Sequence, residues 1–365
     1  MSTLNTSRRQ LIKRAGLGAA LLSTGAGQRL WASTPKRKLG VALVGLGYYS
    51  RDLLAPALQL TEYCELTGIV TGSPEKIPVW QQKYGIKDAN VYHYGNMHTI
   101  ANNPDIDIIY IVVPTGLHMK YSVIAANAGK HVWCEKPMAM NVQECQNIID
   151  ACQKNKVKLS IGYRMQHEPN TQTVMQYASS RPYGAIHRVD TIAAYAGNGA
   201  PADNWRMQAH MGGGALYDMG VYAINGARYA TGLEPLAITA KRDFSHPRFT
   251  EVDNTTSFTL EFPEGIVASC KTSVVESGNH LKVDAENGWY KLDPMSEYNG
   301  VSGVTSDGKK LDKFLANQQA KQMDDDALAI LNNTPVLVPG EEGMRDIAIV
   351  RAAIESSEKD KRIEL

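Results

Sequence analysis

The chain has 365 residues, 43% of them hydrophobic and 21% charged, with 38 basic side chains against 37 acidic ones for a formal net charge of +1. That is enough apolar material for two cores, and a charge balance too even to recruit nucleic acid or an anionic membrane in bulk. The cysteines Cys64, Cys134, Cys145, Cys152 and Cys270 show neither a C-x-x-C pair nor Cys/His ligand spacing, which argues against a bound structural metal and against a disulfide framework. They read as small buried hydrophobes.

At the N-terminus, Ser7-Arg8-Arg9-Gln10-Leu11-Ile12-Lys13 precedes an apolar run from Ala15 to Leu22 and then small residues. The run is about half the length a bilayer span needs. The pattern predicts a twin-arginine signal peptide over residues 1–32, a periplasmic destination and no membrane span in the mature protein.

From Leu39 onwards short strands alternate with helices. Strands are expected at Leu39–Val44, Cys64–Val70, Ile106–Val113, His131–Cys134 and Lys158–Ile161, with helices at 53–60, 119–128 and 142–153. That alternation predicts an α/β Rossmann domain with a doubly wound parallel sheet over residues 33–161. Beyond Gly162 the strands lengthen and alternate: 186–195, 236–244, 255–262, 266–275 and 281–285, with a hairpin turn at Phe262–Ile266. Helices at 325–331 and 343–356 close the chain. Residues 162–365 are therefore expected to form an α+β domain on a large, mainly antiparallel open sheet.

Two clusters carry chemistry. Gly45-Leu46-Gly47-Tyr48-Tyr49-Ser50 follows the first strand and opens a helix, the context a dinucleotide fingerprint requires. The second strand ends in Thr71, Gly72 and Ser73 with Lys76 nearby, where NAD enzymes usually carry a carboxylate. Hydroxyls and a cation there favour NADP over NAD. The other cluster joins Glu135-Lys136-Pro137, at the end of the 131–134 strand, to the glycine-rich segment 212–222. If the latter is helical, Asp218 and Tyr222 share one face. A free tyrosine is a poor base at neutral pH, and a neighbouring lysine cation favours its phenolate. Lys136, Asp218 and Tyr222, converging on a cleft, thus form a plausible proton-transfer set. A core aromatic for Tyr222 and a helix-dipole or salt-bridge role for Asp218 are the alternatives.

Several segments, in order, resemble the glucose–fructose oxidoreductase family within the Gfo/Idh/MocA group: I-Y-I-V-V-P-T-G-L-H, A-G-K-H-V-W-C-E-K-P, I-G-Y-R, N-W-R and G-G-G-A-L-Y-D-M-G-V-Y. The resemblance implies that Lys136 lies near nicotinamide and sugar, that Asp218 orients the substrate, and that Tyr222 is the general acid/base. It places Arg164, Trp205, Arg206 and Tyr298 along the sugar cleft. Pro114, Thr115, His118, Glu135 and Arg164 are implied as cofactor or cleft contacts, beside Tyr48 and Tyr49 of the glycine turn. A homo-oligomer, dimer or tetramer, is implied as well. The expected reaction is oxidation of an aldose to its lactone, coupled through a retained cofactor to reduction of a second carbohydrate. A secreted NAD-dependent glycosidase and a non-catalytic sugar or nucleotide sensor are the alternatives.

Overall fold

The computed structural model describes residues 37–197 and 203–365, so the segment read as an export signal lies outside the described residues. The first sheet holds six parallel strands: β1 (Leu39–Val44), β2 (Cys64–Val70), β3 (Val91–Tyr92), β4 (Ile108–Ile111), β5 (His131–Cys134) and β6 (Leu159–Ile161). Their order is β3-β2-β1-β4-β5-β6, the doubly wound arrangement that binds ligands beyond the carboxyl ends of its strands. Every residue of β1 and β4 is buried, as a sheet covered on both faces demands. The fourth strand is shorter than its apolar run predicts. The flanking N–H groups of Asp107 and Val112 still reach β1, at 2.8 and 2.9 Å, so the difference lies only at the boundary.

The covering helices are α1 (turns Tyr49–Leu54 and Ala55–Ala57), α2 (Ile77–Tyr84), α3 (His118–Asn127) and α4 (Val142–Lys154). In α4, Cys145, Ile148, Ile149 and Cys152 recur at helical spacing on the buried face. Asn141 starts that helix by accepting from the Glu144 N–H at 2.9 Å, while Glu144 reaches back to the Met140 N–H at 3.1 Å. This reciprocal cap satisfies donors that a helix start leaves bare. All five cysteines are buried free thiols.

The second sheet begins after α5 (Pro169–Ser180). Its strands are β7 (Ile186–Ala194), β8 (Ala237–Asp243), β9 (Thr255–Glu261), β10 (Val267–Ser273), β11 (Gly278–Ala285), β12 (Gly288–Leu292), β13 (Gly303–Thr305), β14 (Lys310–Leu311) and β15 (Ile363–Glu364). The order is β14-β13-β12-β11-β7-β10-β9-β8-β15. Of these pairs, β7 with β10 is parallel and the rest are antiparallel. In β9, Thr256, Phe258 and Leu260 face inward and alternate with less buried residues, the mark of a sheet packed on one side. The packing layer comprises α6 (turns Leu216–Gly220 running into Val221–Thr231) and α8 (Gly340–Lys359), which lie against β7, β8 and β10.

Helix α7 (Gln318–Leu331) follows β14 of the second sheet in sequence yet packs into the first core. Ala320, Met323 and Ala327 join the cluster of Leu39, Leu54 and Ile69. Asp324 accepts from the N–H groups of Glu62 and Tyr63, both at 2.9 Å. Only its last turns, 325–331, are apolar enough to be anticipated, because its buried face also carries Gln318, Gln319, Gln322 and Asp326. Among the described residues no helix is long and apolar enough to cross a membrane.

Candidate active site

The chain leaves β1 through Gly45, where φ is +92° and a Cβ would meet the Val112 carbonyl oxygen at 2.5 Å. Only glycine fits there. Ser50 stands where the fingerprint's third glycine would be; its buried Oγ donates to the Gly45 oxygen at 2.6 Å and fastens α1 to the turn. Leu46 points into the first core, and Tyr48 stands out at the rim, 60% exposed. Gly47 is exposed, with nothing within 4 Å of where its Cβ would sit. An anion can therefore approach its N–H and the start of α1 closely. That helix opens with wide, π-type turns, a form that concentrates at functional sites.

At the end of β2, the Ser73 N–H donates to Thr71 Oγ1 at 3.0 Å, and Lys76 Nζ donates to the Leu46 oxygen of the glycine turn at 3.2 Å. A cation and hydroxyls thus flank the place where a ribose would lie, while Glu75 is exposed. The clear approach at Gly47, the bare donors of α1 and the polar edge around Lys76 fit a dinucleotide.

Across the carboxyl end of the sheet, β5 delivers Glu135 and Lys136. Lys136 Nζ donates to the Asp218 main-chain oxygen at 2.8 Å and lies 3.5 Å from Asp218 Oδ1. It also sits 4.8 Å from the centre of the Tyr222 ring. Both Asp218 and Tyr222 come from α6, whose first turns are again wide. Asp218 Oδ2 accepts from Arg206 Nε and from the Tyr195 hydroxyl, each at 3.0 Å. Burial would raise the Asp218 carboxyl, but Arg206 and Lys136 outweigh it and hold the group well below the usual carboxylate range. Burial likewise pulls Lys136 down, and the surrounding Tyr222, Asp218 and Glu135 push it above its ordinary value. The lysine is a fixed cation beside a phenol, with an ionised carboxylate between two positive groups.

The glycine run before α6 has a packing reason. A Cβ at Gly213 would meet the Arg206 oxygen at 2.3 Å, and the Gly214 N–H donates to that oxygen at 3.0 Å. The run holds the 205–207 turn against α6 and so brings Arg206 to Asp218. Trp205 stacks on the Arg206 guanidinium at 4.5 Å and is half-buried.

Other expected contacts take different places. Arg164, 2% exposed, spends its two terminal nitrogens on the protein itself: it donates to the main-chain oxygens of Ser296 and Glu297 and to Gln318. Its guanidinium lies 5.5 Å from the Tyr222 ring and 4.6 Å from the Tyr298 ring, behind both. His118 is buried, with Nδ1 2.8 Å from the Pro137 oxygen and Nε2 2.8 Å from the Val113 oxygen. Burial pulls it down to about 4 despite those two carbonyls. A neutral ring donates to one of them, so His118 braces the turns after β4 and β5 instead of facing a ligand. Thr115, also buried, packs beneath Gly212, and Pro114 starts the turn that carries it. The Glu135 carboxylate is buried against the Tyr110 hydroxyl at 2.6 Å and the Lys136 N–H at 3.2 Å. Burial raises it despite the Tyr110 bond and the Lys136 charge. Tyr195 and the Tyr110–Gln322 contact (3.3 Å) behind Glu135 were not anticipated. Tyr195 ends a hydrophobic strand pattern and Gln322 lies in a polar stretch, so neither carried a signal.

A doubly wound sheet with a glycine-turn nucleotide edge, facing a lysine, aspartate and tyrosine from a second domain, defines a two-domain nicotinamide-dinucleotide oxidoreductase. Residues 39–163 match the oxidoreductase family with NAD-binding Rossmann fold, and residues 171–291 match the GFO/IDH/MocA C-terminal domain. The crystal structure of the aldose-aldose oxidoreductase from Caulobacter crescentus superposes with a TM-score of 0.85 and 34% identity, covering 90% of this chain and 100% of that one. A D-xylose 1-dehydrogenase [NADP(+)] of Haloarcula marismortui is 26% identical over 338 residues, 89% of this chain and 92% of its own length. A scyllo-inositol 2-dehydrogenase (NADP(+)) of Bacillus subtilis is 23% identical over 89% of this chain and 95% of its own length. The chain belongs to the Gfo/Idh/MocA oxidoreductase family.

Proposed function

We propose that the protein is an NADP(H)-dependent sugar oxidoreductase that oxidises an aldose to its lactone and reduces a second carbohydrate through the same bound cofactor. One observation carries the reading: Lys136 Nζ sits 4.8 Å from the Tyr222 ring and 2.8 Å from the Asp218 oxygen, at the strand end where a nicotinamide would lie. The preference for NADP is supported by Lys76 beside the glycine turn and by the NADP-dependent relatives. The sugar class is supported by relatives that act on xylose, inositol and aldoses.

When bound, the nicotinamide supplies the hydride acceptor and, once reduced, the donor. Asp218 and Arg206 orient sugar hydroxyls. As the C1–H bond of a cyclic aldose breaks, the phenolate of Tyr222, the form a neighbouring lysine cation favours, takes the C1 hydroxyl proton and the C1–O bond becomes the lactone carbonyl. In the second half-reaction Tyr222 gives that proton to the carbonyl oxygen of the sugar being reduced. The fixed Lys136 cation stabilises negative charge on either oxygen as the proton moves.

Export by a twin-arginine signal belongs to the same proposal. A periplasmic enzyme has no pool in which to recycle free dinucleotide, so a cofactor loaded before export and regenerated by a second sugar makes the reaction sustainable. We also propose a homo-oligomer. The outer face of the second sheet holds an open hollow of about 890 Å³ lined by residues such as Lys241, Ser257, Lys271 and Lys282, where we place the contact with another subunit.

The test is a two-sugar cycle on the purified protein. An aldose added alone should produce the absorbance of reduced dinucleotide without added NADP, and a second sugar should erase it. A reaction that runs only with a continuous supply of free NADP counts against the coupled cycle.

A further inference from the structure

Tyr49 follows Tyr48 in the glycine turn but takes another course. Tyr48 stands in solvent, whereas Tyr49 is half-buried with its ring 6.0 Å from that of Tyr298, tilted by 43°. Tyr298 comes from the opposite side of the site, in the segment between β12 and β13. That segment is fastened at Ser296 and Glu297 by Arg164, at the Glu297 oxygen by Gln318 Nε2 (2.9 Å), and at the Ser296 N–H by Asn279 Oδ1 (2.9 Å). The Arg164 guanidinium backs the Tyr298 ring at 4.6 Å, a cation–π contact that fixes the ring's orientation. One ring of the pair is thus held rigidly, and the other rides on the cofactor turn.

Besides its burial, the groups that act most strongly on Tyr49 are Glu135, Tyr222, Arg164 and Tyr298, the last of which its ring touches. None of them lies in the glycine turn or at the end of β2. The phenol therefore faces the reacting end of the site and not the phosphate end. Burial, then Glu135 and Tyr222, lift Tyr49 far above the usual tyrosine value; burial and Tyr222 do the same to Tyr298. Both rings stay neutral: half-buried, apolar on their faces, with a hydroxyl at the tip. A pyranose offers the counterpart, an apolar C–H face edged by hydroxyls.

We propose that Tyr49 is a sugar-specificity residue that forms, with the Tyr298 ring it touches, a two-ring clamp pressed against one face of the carbohydrate. This rests on the sugar-oxidoreductase reading above and moves Tyr49 from the cofactor set to the substrate set. The clamp also links the two halves of the site, because one of its rings is carried by the turn that receives the dinucleotide.

The experiment compares Tyr49→Ala, Tyr49→Phe and Tyr298→Ala with the parent, using the full chain. Each is titrated with NADPH by fluorescence, and kcat and KM are measured for the aldose that the parent oxidises. Tyr49→Ala should raise KM about tenfold or more, the loss of roughly one stacking contact, with NADPH affinity within about threefold of the parent. Tyr49→Phe, which keeps the ring, should stay near the parent. Tyr298→Ala should repeat the alanine result from the other side, and decides the matter should Tyr49→Ala fail to fold. A fall in NADPH affinity, with or without a change in KM, overturns the proposal, and so does an unchanged KM. If the parent oxidises no aldose at all, the function proposed above fails on its own. The clamp is then judged by calorimetric titration of D-xylose and D-glucose onto the NADPH-loaded protein: binding lost in Tyr49→Ala supports it, and equal or absent binding overturns it.

Discussion

The ammonium of Lys136 is held by Asp218 twice, 2.8 Å from its main-chain oxygen and 3.5 Å from Oδ1. This fixes the cation beside the Tyr222 ring without neutralising it alone, since Asp218 is shared with Arg206. Replacing Lys136 by Met keeps the stem and removes the charge. Sugar oxidation should fall about a hundredfold or more, the usual scale of an assisted proton transfer, while NADPH still binds and the melting temperature changes little. Steady-state kinetics with a fluorescence titration and a melt check this.

Lys76 should set the cofactor. Among the described residues its Nζ bonds only a carbonyl, that of Leu46, so the charge is available to a 2′-phosphate. Lys76→Ala should weaken NADP binding about tenfold, as loss of one charge-assisted contact does, and leave NAD binding unchanged. Paired titrations with the two dinucleotides measure the ratio.

Gly162 is predicted to be intolerant of any side chain. A Cβ there would lie 2.7 Å from Glu135 Oε1, the oxygen that accepts from Tyr110. Gly162→Ala should cost on the order of 1–3 kcal/mol by overpacking and also slow the reaction, because the displaced residue precedes Lys136. Denaturant unfolding and kcat together distinguish this from a loss of stability alone.

Asp326 gives a pH-dependent prediction. It is completely buried, its carboxylate oxygens have no well-formed hydrogen bond among the described residues, and burial pushes it up to about 6 with only partial relief from His167 and Ser160. An unfolded aspartate titrates near ~3.9. The folded value is the higher one, so the contribution to stability is complete below about pH 4 and lost as pH rises through about 6. Asp326→Asn should therefore match the parent near pH ~4 and exceed it near pH ~8, by on the order of 2 kcal/mol. Melting curves across that range test it.

The first domain was legible because its signals are local. The apolar runs at 39–44 and 131–134 gave β1 and β5 to the residue, and Gly45-Leu46-Gly47 lies in the strand–turn–helix context that defines its use. Lys136, Asp218 and Tyr222 were legible as residue types placed at a strand end and a helix start. What escaped depends on long-range packing. Arg164 and His118 sit among functional motifs, yet the two terminal nitrogens of Arg164 and the ring of His118 are engaged by carbonyls far away in sequence or across a turn. Tyr195 reaches Asp218 only because β7 ends beside α6. Strands of two to five residues, such as β3 and β12 to β15, are too short for a period to register.

The central claim is that Tyr222 moves the proton while the sugar is oxidised. The most direct measurement is a single turnover: protein carrying bound NADP is mixed with an aldose alone, and formation of reduced dinucleotide is followed by stopped flow. The parent should give a burst equal in amplitude to the bound cofactor. Tyr222→Phe, with NADP binding intact, should form it about a hundredfold more slowly or worse. A burst at the parental rate in Tyr222→Phe would contradict the account.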